Sequence, residues 1–220
     1  LETSLEEGTP VAAGAGDQQA SGLGCGVVEP GTGYLNLGTS VVLGTVSTRY
    51  VFGRRFIVRE GLIPGTWNPE GLLNSGYWLV TWFKEKIRPG SEEALDEGAS
   101  RVPAGSLGLV VQPYWLGVGQ PYWDANARGT AVGWGEAHTW AHFYRAILEG
   151  LAYDIRLNME AIEEATTPIH GVRVCGGGAR SSLSCRIVAD VLGRPVGRIH
   201  TAEAAALGAS MLAAAAARLH

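Results

Sequence analysis

Between Trp140 and Glu164 the apolar residues Trp140, Phe143, Tyr144, Ile147, Leu148, Leu151, Ile155, Met159 and Ile162 recur every three or four positions. That spacing paints one stripe along a helix, so it predicts a helix over 140–164, with Thr139 placed to cap its first turn. A second helical rhythm runs from Gly71 to Ile87 through Leu72, Leu73, Trp78, Leu79, Trp82 and Phe83, and stops at Pro89 and Gly90. Elsewhere the apolar runs are short and end in turn residues. Pro10–Ala15 reads as a short buried strand leading into Gly16 and Asp17, with a helix starting over Gln18–Leu23. Tyr34–Leu37, Val41–Val46 and Phe56–Glu60 predict an antiparallel meander, and Leu107–Gln112 a further strand. Ser91–Ala104, rich in Glu and small residues, reads as a surface stretch.

After Pro168 the pattern alternates: strand Val172–Cys175, glycine turn Gly176–Gly178, helix Leu183–Leu192, strand Pro195–Ile199, helix Ala202–Leu219. Gly193 followed by Pro195 stops the first of these helices. No repeat of fixed period occurs. The whole reads as an α/β protein whose 32 glycines cluster in loops at strand ends.

Composition narrows the function classes. With 220 residues, 46% of them hydrophobic, the chain can bury a sizeable core. A net charge of -4 with mixed signs leaves no basic stripe for a phosphate backbone, which argues against nucleic acid. The Ala-rich stretch 202–219 is broken by Gly208, Ser210 and Arg218, so a membrane span is not expected. Cys25, Cys175 and Cys185 have no metal-ligand spacing and suit reduced, mostly buried thiols in the cytoplasm. The acidic first ten residues carry no targeting pattern, and a start without Met is expected of a chain that begins inside something larger.

Three constellations could carry chemistry. Gly14-Ala15-Gly16-Asp17-Gln18-Gln19-Ala20 sets a carboxylate at the mouth of a strand between glycines, where it could act as a general base or simply cap the following helix. Leu35-Asn36-Leu37-Gly38-Thr39-Ser40 could offer amides and hydroxyls to phosphate oxygens, or be an ordinary hairpin turn. Cys175-Gly176-Gly177-Gly178-Ala179-Arg180-Ser181 runs from a strand through three glycines to a helix start, a nucleotide-binding arrangement or a plain tight turn. It matches neither the phosphate-loop nor the dinucleotide pattern. His138 and His142 lie four apart without a third metal ligand and read as cap and surface residues. The aromatics of Gln112-Pro113-Tyr114-Trp115 and Pro121-Tyr122-Trp123-Asp124 could stack on a sugar or anchor loops. The Ala-rich end reads as close helix packing.

Taken in order, the glycine-flanked Asp17, Gly38-Thr39-Ser40, Pro121-Tyr122-Trp123-Asp124 with Asn126-Ala127-Arg128-Gly129, a long helix, Gly176-Gly177-Gly178-Ala179-Arg180-Ser181 and Glu203-Ala204-Ala205-Ala206-Leu207-Gly208-Ala209 resemble the second half of the FGGY carbohydrate kinases. Residues 129–149 resemble that family's C-terminal signature at Gly133, His142, Phe143, Ala146, Ile147, Leu148 and Glu149, and depart from it at Ala131 and Trp134. The resemblance implies an actin-like ATPase fold of ribonuclease H-like type, a mixed sheet flanked by helices. It implies ATP and Mg²⁺ as cofactors and a sugar or polyol as substrate, with Asp17 as the base. Gly38, Thr39 and Ser40 would hold the phosphates, Gly176, Gly177, Gly178 and Ser181 would border the adenosine, and Gly76 would flank the nucleotide. It further implies that residues 1–30 are the tail of an N-terminal kinase domain and 31–220 most of the C-terminal one, inactive without its partner domain, and it allows a homodimer. An actin-like ATPase or phosphatase without a sugar acceptor, or a non-catalytic nucleotide-binding half, are the rival readings.

Overall fold

The computed structural model describes residues 6–201 and 203–218. Its elements are α1 (Asp17–Gly24), β1 (Thr32–Leu37), β2 (Val41–Thr45), β3 (Ile57–Glu60), β4 (Trp67–Leu73), α2 (Trp78–Lys86), α3 (Glu92–Ser100), β5 (Val110–Gln112), β6 (Thr130–Val132), α4 (Trp140–Ala165), β7 (Gly171–Cys175), α5 (Ser182–Leu192), β8 (Val196–Arg198) and α6 (Ala204–Ala216). The outer ends of the last predicted helix, Ala202 and Leu219, fall outside the described residues.

Six strands form one mixed sheet in the order β3-β4-β2-β1-β7-β8. The β1–β2, β2–β4 and β3–β4 pairs are antiparallel, and β7 runs parallel to both β1 and β8. Alternation along the strands sorts side chains to two faces. Leu35, Leu37, Val41, Leu43, Val172 and Val174 pack with Ile147, Leu151 and Ile155 of α4 in the larger core. Tyr34, Val42 and Cys175, one position out of phase, pack with Cys25 and Ala204 beside α1 and α6. Each fully buried Leu or Ile contributes about 1.5–3 kcal/mol, so the stripe of α4 is the main anchor of the sheet.

The predicted helix over 140–164 is α4. Its start is held as expected, His142 Nδ1 accepting from the Thr139 amide at 3.2 Å. Inside it, Arg145 Nε donates to Glu149 at 2.7 Å, and Glu149 also accepts from the Gly105 amide at 3.0 Å, which ties the loop before β5 to the helix. The α/β alternation after Pro168 is present, and Gly193 ends α5 at φ +61°.

Four expectations differ from the structure. Residues 10–16 form an exposed coil in place of a buried strand, because the run Val11-Ala12-Ala13 meets no strand to pair with among the described residues. The predicted helix over 71–87 divides: Leu72 and Leu73 close β4, which lies between β2 and β3, and only Trp78–Lys86 is helical. The meander is therefore out of sequence order, with β3 at the edge outside β4. The surface stretch after Ser91 is largely the amphipathic helix α3, its N-terminus capped by Ser91 Oγ accepting from the Ala94 amide at 3.2 Å, with Leu95 and Ala99 buried. Finally, the strand expected over 107–112 begins only at Val110, after a 3₁₀ turn over Ser106–Gly108.

Helices α1 and α6 lie together against the second face, and small residues set their distance. A Cβ at Gly208 would sit 2.0 Å from the Ala20 carbonyl oxygen, and one at Gly24 would sit 2.0 Å from that of Ala204. The close packing read from the Ala-rich end is present, and its partner is the helix that begins with Asp17.

Candidate active site

Parallel strands aim their carboxyl ends the same way, and the crevice beyond those ends is where α/β sheets bind ligands. Here β1 pairs with β7 so that Asn36 stands opposite Cys175. The turn that follows β1, Gly38-Thr39-Ser40, therefore lies beside the turn that follows β7, Gly176-Gly177-Gly178.

Both turns are shaped by close backbone contacts. Gly176 adopts φ +84°, ψ 174°, a region open essentially to glycine alone, and a Cβ there would stand 2.5 Å from Asn36 Oδ1. At Gly178 a Cβ would meet the Tyr77 ring at 2.5 Å, whereas at Gly177 nothing described lies within 4 Å. Gly177 thus turns a bare backbone to open space. The Gly38 and Thr39 carbonyls accept from the amides of Tyr77 and Trp78 at 2.9 and 3.1 Å. In a trans peptide the carbonyl and the next amide point opposite ways, so the N–H groups of Thr39 and Ser40 are directed away from that contact. Gly76 makes the contact feasible, since a Cβ there would stand 2.3 Å from the Thr39 carbonyl oxygen.

A cleft of about 500 Å³ opens between the turns and α2, lined by Gly38, Thr39, Tyr77, Gly177, Gly178 and Arg180. An adjoining cavity of about 460 Å³ shares Glu92 and Arg180 with it and reaches Asp96 and Ser181. Burial pushes the Glu92 carboxyl up, against the pull of Lys84 and Arg180. Asp96 is also pushed up by burial, against the donated hydrogen bonds of Ser181 and Tyr144.

The residues singled out in the sequence come together unevenly. Gly38, Thr39, Gly177 and Gly178 line the cleft itself. Gly76 and Gly176 stand behind its wall and fix the turns, and Gly76 lies in the turn before α2, not on a helix. The Ser40 hydroxyl is exposed and reaches the Asn74 carbonyl at 3.5 Å. Ser181 is buried, its hydroxyl accepting from the Ser184 amide at 2.9 Å and donating to Asp96, so it caps α5 at the cavity's border. Asp17 is exposed in the first turn of α1, where Gly16 is the cap, and it accepts from Gln18 Nε2 at 3.1 Å. It reaches the turns only through its neighbour, Gln18 Oε1 accepting from Asn36 Nδ2 at 3.4 Å.

Residues to which the sequence assigned no role complete the picture, Asn36 and Arg180 from within the quoted motifs and Tyr77 and Glu92 from outside them. Tyr77, Arg180 and Glu92 line the cleft, and Asn36 touches both turns. Asn36 had a visible signal, a carboxamide in an otherwise apolar strand; Glu92 had none beyond its place at a capped helix start. Of the two aromatic loops, the first packs inward, with Trp115 tilted against Trp82 at 5.5 Å, while Tyr122 and Trp123 of the second are exposed, Trp123 Nε1 donating to the Arg54 carbonyl. Among the described residues no group of three His, Cys, Asp or Glu could hold a metal, and no helix is long and apolar enough to cross a membrane.

The sequence model of the FGGY family of carbohydrate kinases, C-terminal domain, matches residues 33–217. The chain belongs to this family. It is 32% identical over 216 residues to a xylulose kinase of Bacillus subtilis, covering 96% of this chain and 43% of the relative. It is 34% identical over 216 residues to glycerol kinase 2 of Saccharolobus solfataricus, covering 95% and 43%. Among solved structures, a xylulose kinase of Rhodospirillum rubrum superposes with a TM-score of 0.84 at 33% identity, over 96% of this chain and 43% of that one. A Plasmodium falciparum glycerol kinase solved with ADP shares the fold, at a TM-score of 0.82 and 19% identity over 93% and 42%. The chain thus spans less than half the length of these FGGY relatives. Its fold is the actin-like ATPase fold, with the expected mixed sheet between helices. Both glycine turns lie inside the matched domain, while Asp17 precedes it.

Proposed function

We propose that the paired glycine turns bind ATP, and that this chain, acting with an N-terminal kinase domain, serves transfer of the γ-phosphoryl group to a hydroxyl of a sugar or polyol. The observation that carries the reading is the juxtaposition of two turns at the carboxyl ends of β1 and β7, one bare at Gly177 and the other turning the Thr39 and Ser40 amides away from α2. Residues 1–30 then belong to the N-terminal domain's tail and 31–220 to the nucleotide-binding domain, with the cytoplasm as compartment.

The residues fit a nucleotide. A side chain on Gly177 would enter the space where a ribose or base would lie, and the cleft carries the cationic Arg180. The Thr39 hydroxyl with the Thr39 and Ser40 amides would face phosphate oxygens, while Ser181 would border the adenosine. ATP supplies the phosphoryl group, and Mg²⁺ would be held mainly by its phosphate oxygens, offsetting their charge. Asp17 accepts the proton of the attacking hydroxyl, and its exposure here suits a residue that faces a substrate carried by another domain. Closure of the two domains keeps water, the competing acceptor, away from the transferred group.

Calorimetry on this chain should show ATP binding that Gly177→Val removes. In the complete kinase, Asp17→Asn should lower turnover at least about 100-fold with ATP affinity nearly unchanged. Turnover within about 10-fold of the parent would overturn the base assignment, and ATP hydrolysis unaffected by xylulose, glycerol or other acceptors would overturn the sugar kinase reading.

A further inference from the structure

We infer that Asn36 is a positioning residue that aligns the Asp17 carboxylate with the two glycine turns through Gln18. The inference rests on the reading of Asp17 as the base. Asn36 Nδ2 donates to Gln18 Oε1 at 3.4 Å, and Gln18 Nε2 donates in turn to Asp17 Oδ2 at 3.1 Å. The chain of bonds has a direction: two amides donate in sequence and a carboxylate, which can only accept when ionised, terminates it. Each amide polarises the next, so the bond to the carboxylate is stronger than an isolated one.

At its other end the Asn36 carboxamide is wedged between the turns. Its Oδ1 stands 2.5 Å from where a Cβ on Gly176 would be and 3.3 Å from one on Gly38. Asn36 sits in β1, paired on one side with Val42 and on the other with Cys175, so the sheet fixes its backbone and its half-buried side chain has little freedom. A displacement of either turn is therefore passed to Gln18 and to the exposed carboxylate. Asp17 has no other side-chain hydrogen bond among the described residues, which leaves Gln18 as its means of orientation.

Replacing Asn36 by Leu keeps the number of side-chain heavy atoms and their branching and removes the donor. In the complete kinase, N36L should lower kcat about 10- to 100-fold, the range a small misplacement of a reacting group produces, with the KM for ATP within about 3-fold. Gln18→Ala should do the same, and the double variant should lose no more than the worse single one, because both act on one chain of bonds. A KM for ATP that rises while kcat stands would overturn the inference and leave Asn36 as a shaper of the turns. Multiplying effects in the double variant would overturn it too. A thermal unfolding midpoint within a few degrees of the parent excludes simple misfolding, and N36S is the second variant if N36L fails that criterion. Failure of the base reading is told apart by Asp17→Asn, which alone tests whether the carboxylate matters.

Discussion

Gly176 and Gly177 are neighbours with opposite duties. At Gly176 the backbone is strained for any other residue and a side chain would collide with Asn36, so Gly176→Ala should cost about 1–3 kcal/mol. For a chain of this length each kcal/mol is worth roughly 2–4 °C in the unfolding midpoint. Gly177 has room for a side chain and a φ that any residue can adopt, so Gly177→Val should leave the midpoint within a few degrees and act on nucleotide affinity alone. Differential scanning calorimetry with and without ATP separates the two. Equal losses of stability would mean that Gly177 is not a ligand-facing position. Sequence alone shows the three glycines but not this division of labour, because the division depends on Asn36 and Tyr77, which arrive from 140 and 101 positions away along the chain by strand pairing and by the turn before α2 (176 minus 36; 178 minus 77).

At the scale of elements, the legible parts are those whose signal is local. The stripe of α4 and the α/β alternation after Pro168 appear as read, since one periodicity runs the full length of each element. Strand β4 was hidden because Leu72 and Leu73 fall in phase with the helix that follows; its identity is set by pairing to β2 and β3, and by Gly71 passing under Asn158, whose Oδ1 would stand 2.4 Å from a Cβ there. The pairing of α1 with α6 likewise depends on distant glycines. It also sets where Asp17, the proposed base, stands, since that residue opens α1. Gly208→Leu should force the helices apart, at about 1–3 kcal/mol for the overpacking. Hydrogen exchange should show amides of α1 and α6 losing protection while those of α4 keep theirs. Loss spread evenly over the sheet would show that the pair does not open as a unit.

Across the whole molecule, burial raises carboxyls of the frame as well as those beside the cleft. Asp154 is buried on α4 and is pushed up to about 7 by that burial, with the Tyr114 hydroxyl opposing. Its Oδ1 and the Oδ1 of Asn158, one helical turn on, are both buried without a hydrogen-bond partner among the described residues, so a proton on Asp154 supplies a donor where acceptors crowd. Burial pushes Glu70 up as well, against the hydrogen bonds from Tyr34 at 2.6 Å and Arg59 at 2.9 Å. An unfolded Asp titrates near 3.9, roughly, so the folded protein holds the extra proton between about pH 4 and 7. The contribution of Asp154 to stability is then complete below about pH 4 and is lost as pH rises to about 7, on the order of a few kcal/mol. Asp154→Asn keeps the shape and brings an N–H at every pH. Urea unfolding at pH 5, 6, 7 and 8 should show the parent losing stability relative to this variant as pH rises. Parallel pH profiles for the two proteins would mean that Asp154 is ionised in the fold and that its burial is offset by a donor elsewhere.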